Sequence, residues 1–383
     1  MMPKVRRWRT TDLIRNLLFA LVAGSSLLLF GGGEANVIGN CSDCHTMHNS
    51  QAGRPVYREG AGVGWGGSTL SGGSVREAPA DNLLVANCVG CHTSTSSQTI
   101  VTIGGGNRIP IVYNTAPPST PLAGGNFYWV AQGDNTKGHN VYGIAGSDIL
   151  TSAPGDVSAC ASSCHTSLAG APGSAQNLFS KGGCEGCHVF TYHHDDNGVY
   201  RFLKGHGSPP PQTITPDRRN IKLFPDYVTG VEDSDWEYTV SSNDHNFYRG
   251  TNTPYDSLWP GRGLTNQQTV TAFCSGCHGR FHGPVIAEAG MGSSSPWIRH
   301  PTDIFLPSTG EFGPYDPVAA YNAKAPVAYT DPANPSRATA VVTCLSCHRA
   351  HGSPYYKMMR WDYKSNNLSD ALSGCNVCHT SKN

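Results

Sequence analysis

The stretch CLSCHRAH, residues 344–351, sets two cysteines with two residues between them, a histidine directly after the second, and another histidine three residues further on. Its first five residues set a pattern that recurs along the chain. CSDCH (41–45), CVGCH (88–92), CEGCH (184–188), CSGCH (274–278) and CNVCH (375–379) share the spacing, and CASSCH (160–165) repeats it with one residue inserted. With 14 Cys and 16 His in 383 residues, roughly 0.02 such C-x-x-C-H runs would arise by chance, so six are not accidental.

No cysteine falls outside these seven motifs. Two thiols at this spacing suit addition to two vinyl groups on one edge of a porphyrin, and the adjacent histidine then reaches the iron from one face. The thioether positions are Cys41, Cys44, Cys88, Cys91, Cys160, Cys164, Cys184, Cys187, Cys274, Cys277, Cys344, Cys347, Cys375 and Cys378. The proximal ligands are His45, His92, His165, His188, His278, His348 and His379. A zinc site or a disulfide framework gives no reason for a histidine after every second cysteine. In 160–165 the extra residue must bulge out of the loop to keep both sulfurs in place. A disulfide or idle thiols stay open there. Otherwise the cofactor set is seven covalently bound haem c groups.

Composition agrees. There are 45 Gly and 26 Pro, only 14% of residues are charged, and aliphatic periodicity is weak. Such a chain buries little of its own apolar surface, so the haems are expected to form the core. The fold class is a multihaem cytochrome c: mostly irregular coil with short helices at the motifs, around a closely packed haem chain, with little β-sheet. Stretches 60–75 and 101–126, rich in Gly, Ser, Thr and Pro, are expected to be surface coil. The tryptophans, among them Trp65 and Trp361, are expected to pack on haem faces and loops.

The N-terminus reads as a targeting segment. Lys4, Arg6, Arg7, Arg9 and Arg15 precede an apolar run from Leu17 to Phe30, which is shorter than the ~20 residues of a membrane span. Gly33-Glu34-Ala35 fits a cleavage site, so residues 1–35 are assigned as a signal peptide and 36–383 as one multihaem unit. Five of the 27 Lys and Arg and two of the 27 Asp and Glu lie in that segment, so the remainder carries a net charge of −3. That charge gives no electrostatic case for nucleic acid.

Nine histidines are left after the proximal set: His48, His139, His193, His194, His206, His245, His282, His300 and His351. Seven bis-histidine irons need seven of them. The distal candidates are His48, His139, His193, His194, His245, His282, His300 and His351; His206, between glycines in KGHG, is left out. His193 and His194 point to opposite sides of an extended segment, so they serve two irons or one is a bystander. Axial methionine would raise the potential. Met47, Met291, Met358 and Met359 are instead read as packing residues. His45/His48 and His348/His351 are three apart and His278/His282 four apart, so each pair shares one helix face. Trans ligands of one iron must come from opposite faces of the macrocycle. The second histidine of each pair must therefore reach a neighbouring haem, drawing porphyrin edges to about 3.5–4 Å.

CSDCHTMHNS (41–50), TKGHNV (136–141), FCSGCHGRFHG (273–283), IRHP (298–301), CLSCHRAHGS (344–353) and CNVCH together resemble the OmcS-like extracellular multihaem c-type cytochromes. These are subunits of conductive filaments on metal-reducing bacteria. KGGCEGCHVFTYHHDDNGVYRFLKG (181–205) and DWEYTVSSNDHNFYRG (235–250) look more like exported cytochromes of the doubled-CxxCH-motif type. The resemblance implies head-to-tail polymerisation. In it, His48 of one subunit ligates the haem held by Cys344, Cys347 and His348 of the next. It also implies an extracellular or outer-surface location, upstream periplasmic or outer-membrane cytochromes as electron donors, and extracellular electron acceptors. The chain departs from that family in carrying seven motifs, including CASSCH.

Three functions are compatible with these residues. The first is a filamentous conduit. The second is a discrete periplasmic or surface carrier that uses His48 internally. The third is a multihaem reductase, which needs an iron with an open distal position. The motifs all keep their proximal histidine and distal histidines are abundant, so an electron-transfer protein with no catalytic residues is expected rather than an enzyme.

Overall fold

The computed structural model describes residues 50–51, 54–55, 58–59, 64–66, 69–75, 88–103, 106–149, 153, 167–171, 182–188, 200–203, 227–252, 268–275, 277–278 and 300–381. Backbone packing divides the chain into Met1–Glu34 and Ala35–Asn383, and the described residues all belong to the second unit. Among the described residues no helix is long and apolar enough to cross a membrane.

Among the described residues coil dominates, and the helices are three to six residues long. Cys88–Cys91, Val270–Ser275 and Cys375–Cys378 are α-helical, and Gly183–Gly186 and Cys344–Ser346 are 3-10 turns. All five described motifs therefore start in or on a helical turn, as the sequence suggested. The Gly and Pro around them stop propagation, because a short helix gains too few hydrogen bonds to offset its nucleation.

Strands are two to four residues long in the described sheets. The largest sheet orders Gly230–Val231, Phe247–Arg249, Ala328–Tyr329, Ala340–Val342 and Ile304–Phe305, with one parallel pairing between the second and third. Side chains alternate across it. Tyr248, Ala328 and Val341 join Tyr200, Val228, Val270 and Ala272 in one cluster, against which Cys274 and Leu345 pack. Tyr329 and Ala340 join Leu306, Tyr315 and Val327 in another, against which Val377 and Cys378 pack. One small sheet thus positions motifs 274–278 and 344–348 through one cluster and motif 375–379 through the other.

The surface-coil expectation for 60–75 and 101–126 is overturned in part. Gly64–Gly66, Thr69–Ser71, Thr93–Ser94 and Tyr113–Asn114 form a four-stranded sheet, and Ile100–Ile103 pairs with Asn107–Pro110. Trp65, Leu70, Val101, Ile103, Ile109 and Ile111 build a buried cluster there. The physical reason lies in the alternation Val101-x-Ile103 and Ile109-x-Ile111, a two-residue period that puts four aliphatic side chains on one face. A core of polypeptide therefore exists beside the haem motifs, and the haems are not the sole source of burial. Trp65 also reaches the next element, donating Nε1–H to the carbonyl of Cys91 at 2.8 Å. Trp361, 3% exposed, donates Nε1–H to Ala371 O at 2.9 Å.

A second non-local contact matters for the site. Gly125, with φ +84°, lets segment 122–126 lie against 349–352; an added Cβ would sit 2.0 Å from Gly352 O. His351 N–H donates to Gly124 O at 2.7 Å across the same contact.

Candidate haem-binding sites

Each described motif closes the same backbone ring. The histidine N–H donates to the carbonyl of the first cysteine in Cys88/His92 (2.9 Å), Cys184/His188 (2.9 Å), Cys274/His278 (2.9 Å), Cys344/His348 (3.1 Å) and Cys375/His379 (2.9 Å). This single α-turn gathers two thiols and one imidazole into the constellation that thioether attachment needs.

The imidazoles are then oriented through Nδ1. His92 donates to Pro110 O (2.8 Å), His188 to Arg201 O (2.8 Å) and His348 to Lys357 O (2.9 Å). The distal candidates do likewise: His139 to Ala350 O (2.7 Å), His245 to Asn246 O (2.9 Å) and His300 to Pro301 O (2.8 Å). A protonated, anchored Nδ1 leaves Nε2 with its lone pair free for a metal. Burial lowers the pKa of all these rings, His139 to about 4 and, in the same way, His351 to about 3. The neutral form, which is the ligating one, thus holds at pH 7.

The rings also pair. His139 and His278 stand 6.3 Å apart between ring centres, His188 and His351 6.1 Å, and His300 and His379 6.3 Å. Two imidazoles bound trans to one iron, each through an iron–nitrogen bond of about 2 Å, hold their ring centres about 6.3 Å apart. Each pair joins a proximal histidine to a spare one from a distant segment. The residues therefore fit the iron of a haem c at each of these three motifs. His351 faces His188 and not its near neighbour His348, as the shared-face argument required.

The cysteines show which motifs are adjacent. A hydrogen bond between Cys88 and Cys184 holds the Cys88 thiol down and pushes Cys184 up. Another between Cys274 and Cys344 pushes Cys274 up, and Cys187 lies close enough to Cys274 to act on it electrostatically. Cys347 is in the same relation to Cys375 and Cys378. Among the described motifs, 88–92 thus lies near 184–188, 274–278 near both 184–188 and 344–348, and 344–348 near 375–379.

Other candidates stand apart. His245 is 2% exposed, stacks on Tyr321 at 3.7 Å, and has a buried Nε2 with no hydrogen-bond partner among the described residues. No described imidazole faces it at iron-bridging distance. The same holds for His348 among the described residues. Cys41, Cys44, His45, His48, Cys160, Cys164, His165, His193, His194, His206 and His282 lie outside the described residues. Sequence reasoning missed Glu311, whose Oε1 accepts from His379 Nδ1 at 3.1 Å, because nothing local marks a carboxylate 68 residues away.

A family model described as "Doubled CXXCH motif" matches residues 337–383, which span the last two motifs. The c-type cytochrome OmcS of Geobacter sulfurreducens is 26% identical over 409 aligned positions, covering 90% of this chain and 84% of the relative. The chain is similar to OmcS over most of its length. Covalent haem c binding fits both matches. Two solved structures of OmcS from the same organism, described as an outer-membrane cytochrome S filament and as OmcS nanowires, cover 91% and 92% of this chain and 100% of theirs. Their identities are 17% and 19%, with TM-scores of 0.40 and 0.41.

Proposed function

We propose that this chain is an exported electron conduit: a bis-histidine c-type cytochrome with seven haems that moves electrons outside the cell. The carrying observation is the set of three imidazole pairs at 6.1–6.3 Å, which join motifs 184–188, 274–278 and 375–379 to His351, His139 and His300. Haem c, when bound, supplies a one-electron iron couple. The chain's part is to anchor His92, His139, His188, His300 and His348 through Nδ1, keep these rings neutral by burial, and bring thioether sites near one another. At the three paired sites His278 with His139, His188 with His351 and His379 with His300 would hold the iron and would leave no position there for a substrate. Electron transfer without catalysis is therefore the reading, and no residue is assigned a catalytic role.

In this reading His139 completes the site at 274–278, His351 that at 184–188 and His300 that at 375–379. His348 has its Nδ1 anchored and, among the described residues, no second imidazole facing it. His48 of a neighbouring subunit is assigned there, so that subunits join head to tail into a filament; OmcS, the similar protein, is itself found as a filament. Upstream exported cytochromes feed the filament, and extracellular acceptors drain it. Three of His193, His194, His245 and His282 supply the three remaining sites, with one of His193 and His194 as the bystander.

Haem content and spin state test the core of this. Intact-mass analysis of protein purified from the exported fraction is expected to show seven haem additions. Reduced spectra are expected to stay unchanged under CO. Fewer additions would remove 160–165 first; a CO-binding haem would return the reductase reading. Polymerisation is tested separately by His48→Ala, which should leave fully haem-loaded subunits that do not assemble.

A further inference from the structure

The proximal histidine of the last motif is anchored differently from its counterparts. His92, His188 and His348 give Nδ1–H to neutral backbone carbonyls, whereas His379 gives it to the Glu311 carboxylate at 3.1 Å. Both side chains are largely withdrawn from water, His379 at 23% and Glu311 at 21% exposure. The contact is also braced. Glu311 sits in the single 3-10 turn Gly310–Phe312, and its carbonyl accepts from Thr380 N at 3.2 Å and from Thr380 Oγ1. Phe312 packs on the His379 ring at 4.8 Å. The residue after the ligand thus ties the carboxylate's own backbone to the motif.

We propose that Glu311 is a positioning residue that lowers the potential of the haem at Cys375, Cys378 and His379. That haem then lies below the haems whose histidines rest on carbonyls. The proposal rests on the reading of 375–379 as a haem site with His300 and His379 as axial ligands. A carboxylate draws the Nδ1 proton more strongly than a carbonyl does. The ring then donates more electron density through Nε2, which favours ferric iron. The fixed negative charge opposes electron gain in the same sense. Electrons entering the chain therefore settle last on this site and leave it first, giving the 344–348 to 375–379 step a direction.

The test is an EPR-monitored redox titration of the full haem-loaded protein, with Glu311→Gln and Glu311→Ala. The His300 and His379 ring planes are 89° apart, against 46° and 51° in the other two pairs. Near-perpendicular axial planes give a low-spin ferric signal at larger g, which separates this haem from those of the other two described pairs. Glu311→Gln keeps an acceptor and removes the charge. Its midpoint should move positive, and a tenfold loss of ferric preference corresponds to about 59 mV for one electron. Glu311→Ala should move it the same way and also alter the g value, because the ring loses its anchor. Retention of the signal with an unmoved midpoint in both variants would overturn the proposal while leaving the haem site intact. Absence of haem on 375–379 in the unsubstituted protein would overturn the site reading, and the proposal with it.

Discussion

His188 and His351 face each other with ring centres 6.1 Å apart, and Phe127 stacks on His351 at 4.8 Å on another side. The pair joins two motifs: one histidine follows Cys187 directly, and the other stands four residues beyond Cys347. His351→Ala should therefore damage the 184–188 site and spare its own motif. One haem should become high-spin and bind CO, with all cysteines still thioether-linked. A CO difference spectrum with peptide mapping of the affected haem checks this. A perturbed 344–348 haem instead would reverse the assignment.

Gly125 holds the contact that delivers His351. An alanine there would combine a φ of +84° with a Cβ 2.0 Å from Gly352 O, so the two segments must part. Gly125→Ala should cost about 1–3 kcal/mol and raise the high-spin fraction at one site. Thermal melts and the CO spectrum read both effects. An unchanged melt would mean that the segments are not held together as described.

Arg360 is 5% exposed and donates to four carbonyls: Leu345 O (2.6 Å), His348 O (3.2 Å), Ala323 O (3.0 Å) and Ala123 O (3.4 Å). It ties the 344–348 motif to two other segments. Arg360→Ala should cost about 2–4 kcal/mol, since it leaves buried carbonyls unsatisfied. Lysine should not rescue it, because a point charge cannot span the fork. Chemical denaturation of both variants, followed by haem absorbance, measures this.

Asp303 gives a pH dependence. It is 2% exposed, and burial pushes its carboxyl up to about 7, with Thr271 pulling slightly the other way. A carboxyl raised on folding is protonated in the native state where the unfolded chain has already released its proton. Stability should therefore fall as pH rises from about 4 to about 7. Asp303→Asn should flatten that decline and gain on the order of 2 kcal/mol at pH 8. Melting temperature against pH for both proteins decides it; parallel curves would contradict the assignment.

The motifs were fully legible, because thioether chemistry fixes residue type and spacing over five positions. The short turns around them followed from the same spacing. His139, His300 and His351 could be named as candidate ligands, but the imidazoles they face could not, since facing depends on contacts such as Gly125 against Gly352 that have no local signature. The sheet around Trp65 and Ile111 was read as coil. Its strands are two to four residues long, and glycine and threonine mask the alternation of Val101, Ile103, Ile109 and Ile111. Glu311 was invisible because its role is set by a fold contact with His379 and not by any motif of its own.

Electron cryomicroscopy of the native protein, sheared from cells, tests the central claim most directly. The account predicts a filament with an unbroken chain of haems. The irons should be held by His139 with His278, His188 with His351, and His300 with His379, and His48 of the adjoining subunit should lie opposite His348. Discrete particles, or haems whose axial ligands are other than these pairs, would contradict it.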